Sequence, residues 1–261
     1  MVKKILNEMT ETTSLINKNI IITGASSGIG RQCAVSASRL GANVVLIARN
    51  TERLNETVSL MEKSDHLIFS NDISEIDKIP SIIDEACMKV GKISGFIHSA
   101  GIEKTLPLKF MKKEDYEKMF LVNVIAGFEF IKVLSHRKHV DEKGASFLLI
   151  SSVMGTVGRP GIVGYCATKG AIIAGVKPMA LELAKSNIRI NSVSPGYVET
   201  EMTKRMPNDI PDESRKKLID LHPLGLGKPE DVANICMFLL SDLAQWITGT
   251  NIIVDGGYSA Q

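Results

Sequence analysis

The stretch that decides the fold runs from Asn19 to Gly30 and reads NIIITGASSGIG. Its start is apolar and predicts a strand, Asn19–Thr23, while a helical pattern follows at Ile29–Leu40. The turn between them contains Gly24, Ser26, Ser27, Gly28, Ile29 and Gly30. Glycine lets the backbone approach a pyrophosphate closely, and the start of a helix offers free N–H groups. The spacing is G-x-x-x-G-x-G rather than G-x-G-x-x-G, so the strand–turn–helix context is what predicts dinucleotide binding.

Apolar runs and helical patterns alternate along the rest of the chain. The predicted strands are Asn19–Thr23, Asn43–Ala48, His66–Ser70, Gly95–His98, Ala145–Ser151, Ile188–Ser194 and Thr250–Val254. The predicted helices are Ile29–Leu40, Glu52–Met61, Ser81–Val90, Lys113–Leu134, Val163–Lys185 and Pro229–Leu240. Strands that are apolar throughout are covered on both faces, and strand–helix alternation builds right-handed βαβ units. The sequence therefore predicts one α/β domain over residues 1–261, a doubly wound Rossmann domain whose seven-stranded, mostly parallel sheet carries helices on both faces.

Composition excludes several classes of protein. A formal net charge of +2 on 261 residues is too small to indicate nucleic acid or an anionic membrane as the main partner. The four cysteines, Cys33, Cys87, Cys166 and Cys236, lie far apart, which predicts reduced thiols rather than a metal site or disulfides. The stretch from Met1 to Lys18 lacks the apolar core of a signal peptide, and we expect a soluble, cytoplasmic protein.

The region 197–223 interrupts the alternation, because it is polar and contains Pro207, Pro211 and Pro223. It follows the sixth predicted strand, beside the crevice where doubly wound sheets bind ligands. We expect a substrate lid here; the alternative is a plain surface excursion.

The residue after the second strand indicates which cofactor binds. That strand ends at Ala48 and is followed by Arg49. A site for NAD usually has an acidic residue near this point to bond the ribose 2′-hydroxyl. A guanidinium can instead bond the 2′-phosphate of NADP. The sequence therefore predicts NADP(H); the alternative is that Arg49 is a solvated residue at a strand end.

Three side chains form a candidate catalytic group. Tyr165 and Lys169 are four residues apart in a predicted helix and therefore lie on one face. A neighbouring ammonium favours the phenolate, so we expect Lys169 to lower the pKa of Tyr165. Ser152 follows a buried strand and can hold a substrate oxygen beside Tyr165, with Ser151 as an alternative for that role.

Taken together, the motifs of this chain resemble those of the short-chain dehydrogenase/reductase family from about Lys18 to Gly257. In order along the chain they are TGASSGIG (Thr23–Gly30), Asn71-Asp72-Ile73, His98-Ser99-Ala100-Gly101, Asn123, Ser152, Tyr165-x-x-x-Lys169, Pro195-Gly196-Tyr197-Val198-Glu199-Thr200, Ile247-Thr248-Gly249 and Val254-Asp255-Gly256-Gly257. The resemblance implies hydride transfer between a nicotinamide and a carbonyl or alcohol carbon. It also implies a homotetramer, the usual assembly in the family.

The resemblance also implies a role for each matching residue. Tyr165 would be the general acid, Lys169 would bond the nicotinamide ribose, Ser152 would position the carbonyl, and Asn123 would hold a water that links Lys169 to solvent. Further implied contacts with the cofactor are Asp72 and Ile73 at the adenine, Ser99, Ala100 and Gly101 along the adenosine ribose, and Pro195, Gly196, Val198 and Thr200 on the nicotinamide side.

Three positions depart from the family pattern. His98 and Ser99 stand where the family usually has two asparagines, so the support of the fourth strand is lost or replaced. Pro178 lies inside the predicted helix that carries Tyr165, which predicts a local bend beyond Lys169 that leaves the catalytic pair intact.

Within the family, the length and the C-terminus are similar to the 3-oxoacyl-(acyl carrier protein) reductases. Members that act on carrier-bound chains present basic residues near the entrance, and Lys143 and Lys185, beside Ser186, support such a docking patch only in part. A free ketone, sugar or polyol remains an alternative substrate. Alternatives of other classes are a non-catalytic NADP-binding regulatory protein and a sugar-nucleotide epimerase or dehydratase.

Overall fold

The computed structural model describes residues 13–201 and 212–260. Within them the centre of the fold is a seven-stranded parallel sheet of order β3-β2-β1-β4-β5-β6-β7. Its strands are β1 Asn19–Thr23, β2 Asn43–Ala48, β3 Leu67–Ser70, β4 Gly95–His98, β5 Ala145–Ile150, β6 Ile188–Pro195 and β7 Asn251–Val254. The order reverses between β1 and β4, and this switch point opens a crevice at the carboxyl ends of the strands. The predicted α/β Rossmann architecture is confirmed.

Helices cover both faces of the sheet. They are α1 Gly28–Arg39, α2 Thr51–Ser59, α3 Ile79–Val90, α4 Lys113–Phe120, α5 Ala126–Leu134, α6 Val163–Leu183, α7 Asp212–Asp220 and α8 Pro229–Leu240. On one face α3, α5 and α6 pack on a core that includes Phe96 and Phe147. On the other face α1 and α8 pack on a core that includes Leu46 and Leu148. The double cover explains why the strands are apolar throughout rather than alternating.

The predicted helix Lys113–Leu134 is not a regular α-helix. Between α4 and α5 lies a π-helical turn, Leu121–Ile125, in which the Ala126 N–H reaches back to the Leu121 carbonyl. The sequence analysis treated this stretch as one regular helix and did not predict the turn.

Further predictions concern Pro178, the lid, the N-terminus and the cysteines. α6 continues without interruption through Pro178. Within the predicted lid, residues 202–211 lie outside the described part of the chain, and α7 follows them. Most of the stretch from Met1 to Lys18 also lies outside the described part. All four cysteines are free thiols.

The two predicted docking residues lie away from this chain's own cleft. Lys143 precedes β5 and Lys185 precedes β6, so both lie at the amino ends of these strands. The Asn187 side chain donates a hydrogen bond to the Lys143 carbonyl (2.5 Å), which fixes this corner. Because the crevice is at the carboxyl ends, the two lysines lie at the opposite edge from this chain's own cleft.

Candidate active site

A cavity of about 1610 Å³ lies at the carboxyl ends of the strands. Most of the predicted site residues line it, namely Gly24, Ser26, Ser27, Gly28, Ile29, Arg49, Asp72, Ile73, Ser99, Ala100, Gly101, Ser152, Tyr165, Lys169, Pro195, Gly196, Val198 and Thr200. Two predicted residues, Gly30 and Asn123, do not line it and lie behind its wall. The structure therefore brings together residues as far apart in the sequence as Gly24 and Thr200, which are separated by 176 positions.

The glycine turn is closely packed against its neighbours. Gly24 has a positive φ of 69°, and a Cβ there would lie 2.7 Å from the Ala100 nitrogen. A Cβ at Gly30 would lie 2.4 Å from the Gly24 carbonyl oxygen, so Gly30 lets α1 pack on the turn. The Ser27 side chain does not cap α1. The N-terminus of α1 therefore directs uncapped amides and its positive dipole end towards the cavity, which fits a pyrophosphate.

At the far end of the cavity, a cation and a carboxylate stand at the ends of β2 and β3. Arg49 is 72% exposed, and its guanidinium lies 3.8 Å from the Asp72 carboxylate. The Ser74 backbone N–H, the Ser74 hydroxyl and then Arg49 hold the pKa of Asp72 below its ordinary value. Arg53, which the sequence analysis missed, pairs with Glu201, and both residues line the cavity. Two guanidinium groups, each paired with a carboxylate, therefore stand at this end of the cavity.

Ser152, Tyr165 and Lys169 meet beside the end of β5. The Ser152 hydroxyl accepts from the Met154 N–H (3.2 Å), and its proximity to the Tyr165 side chain acts to lower the pKa of Tyr165. The Lys169 ammonium lies 5.5 Å from the centre of the Tyr165 ring and donates to the Ile150 carbonyl (2.7 Å). The Ser151 hydroxyl donates instead to the Lys169 carbonyl (2.8 Å) and is buried. Ser151 therefore holds the backbone of α6, which leaves Ser152 facing the cavity.

The pKa values of the pair differ from the expectation. Tyr165 keeps part of its surface open to the cavity, yet burial, followed by the charge of Glu103, raises the pKa of Tyr165 to about 12. Burial lowers the pKa of Lys169 to about 8. The prediction that Lys169 lowers the tyrosine pKa is wrong for this chain alone, because the ammonium is directed at the Ile150 carbonyl and desolvation dominates.

Asn123 lies in the π-helical turn and is completely buried. Its amide oxygen accepts from the Ile102 N–H (2.8 Å), and its amide nitrogen donates to the Ile102 carbonyl (2.9 Å) and to the Thr168 hydroxyl (3.1 Å). A Cβ on Gly101 would lie 3.5 Å from the Asn123 oxygen and 3.7 Å from the Lys169 nitrogen. Asn123 thus joins the segment after β4 to α6, and its role in holding a water stays a prediction.

The segment after β6 forms the roof of the cavity. The Gly196 N–H donates to the Val254 carbonyl (2.9 Å), and Val198 is buried and pairs with Gly227 in an isolated bridge. The Thr200 methyl would lie 3.3 Å from a Cβ on Gly28, so Thr200 covers the glycine turn.

Several residues of the substrate side were missed because distant segments supply them. Glu103 and Arg159 form an ion pair (3.2 Å) beside Tyr165. His222 stacks on Tyr258, with ring centres 4.9 Å apart, and accepts a hydrogen bond from the Tyr197 N–H. No local motif marks these residues. Only the position of the 197–223 region after β6 indicated that part of the chain would line this side of the cavity.

The parallel sheet has a glycine turn and an uncapped helix start after its first strand, and a serine, a tyrosine and a lysine at the end of its fifth. This combination defines a dinucleotide-dependent oxidoreductase. A family model described as enoyl-(acyl carrier protein) reductase matches residues 24–259. The chain belongs to the short-chain dehydrogenase/reductase family.

Individual relatives agree with this assignment. The 3-oxoacyl-[acyl-carrier-protein] reductase of Thermotoga maritima is 34% identical over 248 residues, which are 93% of this chain and 98% of that protein. The protein of the same description from Staphylococcus aureus is 31% identical over 246 residues, again 93% and 98%. Among solved structures, a 7α-hydroxysteroid dehydrogenase complexed with NADH and 7-oxo glycochenodeoxycholic acid has a TM-score of 0.89 at 28% identity, covering 95% of this chain and 96% of that one. A short-chain type dehydrogenase/reductase from Mycobacterium marinum has a TM-score of 0.87 at 29% identity, covering 96% and 99%.

No helix in residues 13–201 and 212–260 has the length and apolar character to cross a membrane.

Proposed function

We propose that this oxidoreductase uses NADPH to reduce the keto group of a 3-oxoacyl thioester carried on acyl carrier protein. The observation that carries the reaction type is the meeting of Ser152, Tyr165 and Lys169 in a cavity that also contains the glycine turn. The similarity to 3-oxoacyl-[acyl-carrier-protein] reductases, over almost the whole length of both chains, supports the substrate class.

The side chains divide the work of carbonyl reduction. When bound, the nicotinamide supplies the hydride. The hydroxyls of Ser152 and Tyr165 are placed to donate hydrogen bonds to the carbonyl oxygen, on which negative charge develops. A pKa of about 12 keeps Tyr165 protonated at neutral pH, and an alkoxide is a much stronger base than a phenolate, so the tyrosine proton passes to the product oxygen.

The cofactor choice rests on the end of β2. Ala48 is neutral, Arg49 is exposed, and the guanidinium has space to turn towards a 2′-phosphate in the cavity. The amides at the start of α1 would hold the pyrophosphate, while Asp72 and Ile73 would flank the adenine.

The test is NADPH consumption, followed by the absorbance of the nicotinamide, with an acetoacetyl thioester and a panel of free ketones. NADH runs alongside, and Tyr165→Phe is the control that removes only the hydroxyl. We expect reduction of the thioester with NADPH that disappears in the control. Equal or faster turnover with NADH would contradict the cofactor assignment and leave the family assignment unaffected.

A free ketone, sugar or polyol is the second candidate substrate. Two observations favour it: the docking lysines lie at the edge opposite to this chain's cleft, and a similar solved structure is complexed with a free 7-oxo bile acid. Turnover of free ketones with no reduction of the thioester would select this alternative. Turnover of any substrate would exclude a non-catalytic NADP-binding role.

We also propose a cytoplasmic homotetramer, in keeping with the family and with four free thiols. The edge strand β7 presents the half-exposed Ile253, and Trp246 nearby in sequence is 100% exposed in the single chain. Such apolar surface at a sheet edge suits a two-fold interface. Light scattering of the purified protein measures the assembly, and a monomeric mass would contradict it.

A further inference from the structure

His98 is the last residue of β4 and is buried beneath the active site. It lies opposite Thr23, the residue that precedes the glycine turn. Its Nδ1 is 2.9 Å from the Thr23 hydroxyl, and its Nε2 is 3.1 Å from the Val122 carbonyl oxygen. One ring therefore bridges the strand that begins the cofactor site and the π-helical turn.

The hydrogen bonds assign the tautomer of this ring. A carbonyl oxygen only accepts, so Nε2 carries the proton and donates to Val122. The Thr23 hydroxyl accepts from the Ala100 N–H (3.4 Å) and donates to Nδ1. Burial, followed by the charge of Lys169, lowers the pKa of His98 to about 4, which keeps the ring neutral at physiological pH.

The contacts continue from the π-helical turn into the catalytic helix. Val122 adjoins Asn123, whose amide donates to the Thr168 hydroxyl (3.1 Å), and that hydroxyl donates to the Tyr165 carbonyl (2.8 Å). The ring also packs against α5, because a Cβ at Gly127 would lie 2.7 Å from the His98 Cδ2. The absence of a side chain at Gly127 is what lets the imidazole lie there.

We propose that His98 is a positioning residue for catalysis, whose hydrogen bond to the Val122 carbonyl fixes the π-helical turn and thereby Asn123 and the start of α6. The inference rests on the proposed function for its kinetic test. His98 does not face substrate; it acts through Asn123 and Thr168 on the backbone that carries Tyr165. A residue that only supported β4 would affect folding stability and leave turnover of the folded protein unchanged.

Two substitutions separate the two hydrogen bonds. The amide of His98→Asn reaches the place of Nδ1 and keeps the bond to Thr23, whereas the amide of His98→Gln reaches the place of Nε2 and keeps the bond to Val122. We expect kcat to fall about tenfold in His98→Asn, the effect of one lost hydrogen bond of ~1.4 kcal/mol, and to stay within about threefold of wild type in His98→Gln. The dissociation constant for NADPH should change little in both.

A second pair of variants tests the same bond without changing His98. Gly127→Ala places a methyl group against the ring and should lower kcat, whereas Gly158→Ala, whose Cβ meets no atom within 4 Å, should not. Equal kcat in wild type and His98→Asn, or an equal loss in the Asn and Gln variants, would overturn the proposal.

Hydrogen exchange supplies a readout that needs no turnover. The Ile102 amide, which donates to Asn123, should exchange faster in His98→Asn than in His98→Gln. Equal exchange of that amide in the two variants would overturn the proposal. If the wild-type protein reduced no substrate, only the proposed function would be contradicted. The exchange of the Ile102 amide in the two variants would still test the role of His98.

Discussion

Replacing Lys169 with methionine should abolish turnover and make the protein more stable at neutral pH. Lys169 is buried, and burial lowers its pKa from 10.5 to about 8. At ~1.4 kcal/mol for each tenfold change in proton affinity, the charged lysine costs the native state about 3 kcal/mol. The substitution also leaves the Ile150 carbonyl without this partner, at a cost of about 1 kcal/mol. The net gain is about 2 kcal/mol, or a rise in Tm of roughly 4–8 °C for a chain of this size.

The sign of this effect depends on pH in a defined way. Below pH 8 the lysine is charged in both the native and the unfolded state, so the full cost of burying the charge is present. Between pH 8 and 10.5 the unfolded state binds more protons, so the stability of the wild type rises with pH. The advantage of Lys169→Met should therefore be largest below pH 8 and disappear as the pH approaches 10.5.

Urea unfolding of wild type and Lys169→Met at several values of pH measures this difference. The matched control is Lys63→Met, which removes an exposed lysine and should leave the free energy of unfolding unchanged. A variant that is less stable than wild type at pH 7, or a gain that does not shrink at high pH, would refute the reasoning about burial.

Other substitutions test the remaining parts of the site. Arg49→Ala should raise the KM for NADPH roughly 10- to 100-fold and leave the KM for NADH unchanged, measured in parallel titrations. Ser152→Ala should lower kcat at least about 100-fold with NADPH affinity retained, since one donor to the developing oxyanion is lost; an unchanged kcat would remove Ser152 from the mechanism. Gly30→Ala should lower the Tm by several degrees in a thermal melt, because its Cβ would lie 2.4 Å from the Gly24 carbonyl oxygen, whereas Gly158→Ala should not.

The sheet could be predicted from the sequence because its signal is local. The five inner strands are buried on both faces, so they form apolar runs with turn residues at either end. The predicted ends of all seven strands lie within one residue of the observed ones. The crevice could also be predicted, since the carboxyl ends of parallel strands share one edge. The glycine turn, Arg49 and Ser152 could be predicted for the same reason, because each follows directly after a predicted strand.

The side of the cavity formed by Glu103, Arg159, His222 and Tyr258 could not be predicted, because these residues come together only through the tertiary fold. Glu103 and Arg159 are 56 positions apart, and each alone resembles an ordinary surface charge. His222 and Tyr258 stack although neither belongs to a motif. The π-helical turn was missed for a related reason: its residues bond to His98 and Ile102, which come from a distant part of the chain.

The pKa of Tyr165 shows what residue spacing does and does not determine. An i, i+4 spacing places Tyr165 and Lys169 on one face of α6, as expected, and this geometry is present. It does not determine the solvent exposure of either group or the direction of the ammonium. Because Lys169 donates to the Ile150 carbonyl and Glu103 adds negative charge nearby, the surroundings favour the protonated phenol. A protonated tyrosine is the form that donates a proton, so the arrangement is suited to reduction at neutral pH, and the reverse reaction gains as rising pH favours the phenolate.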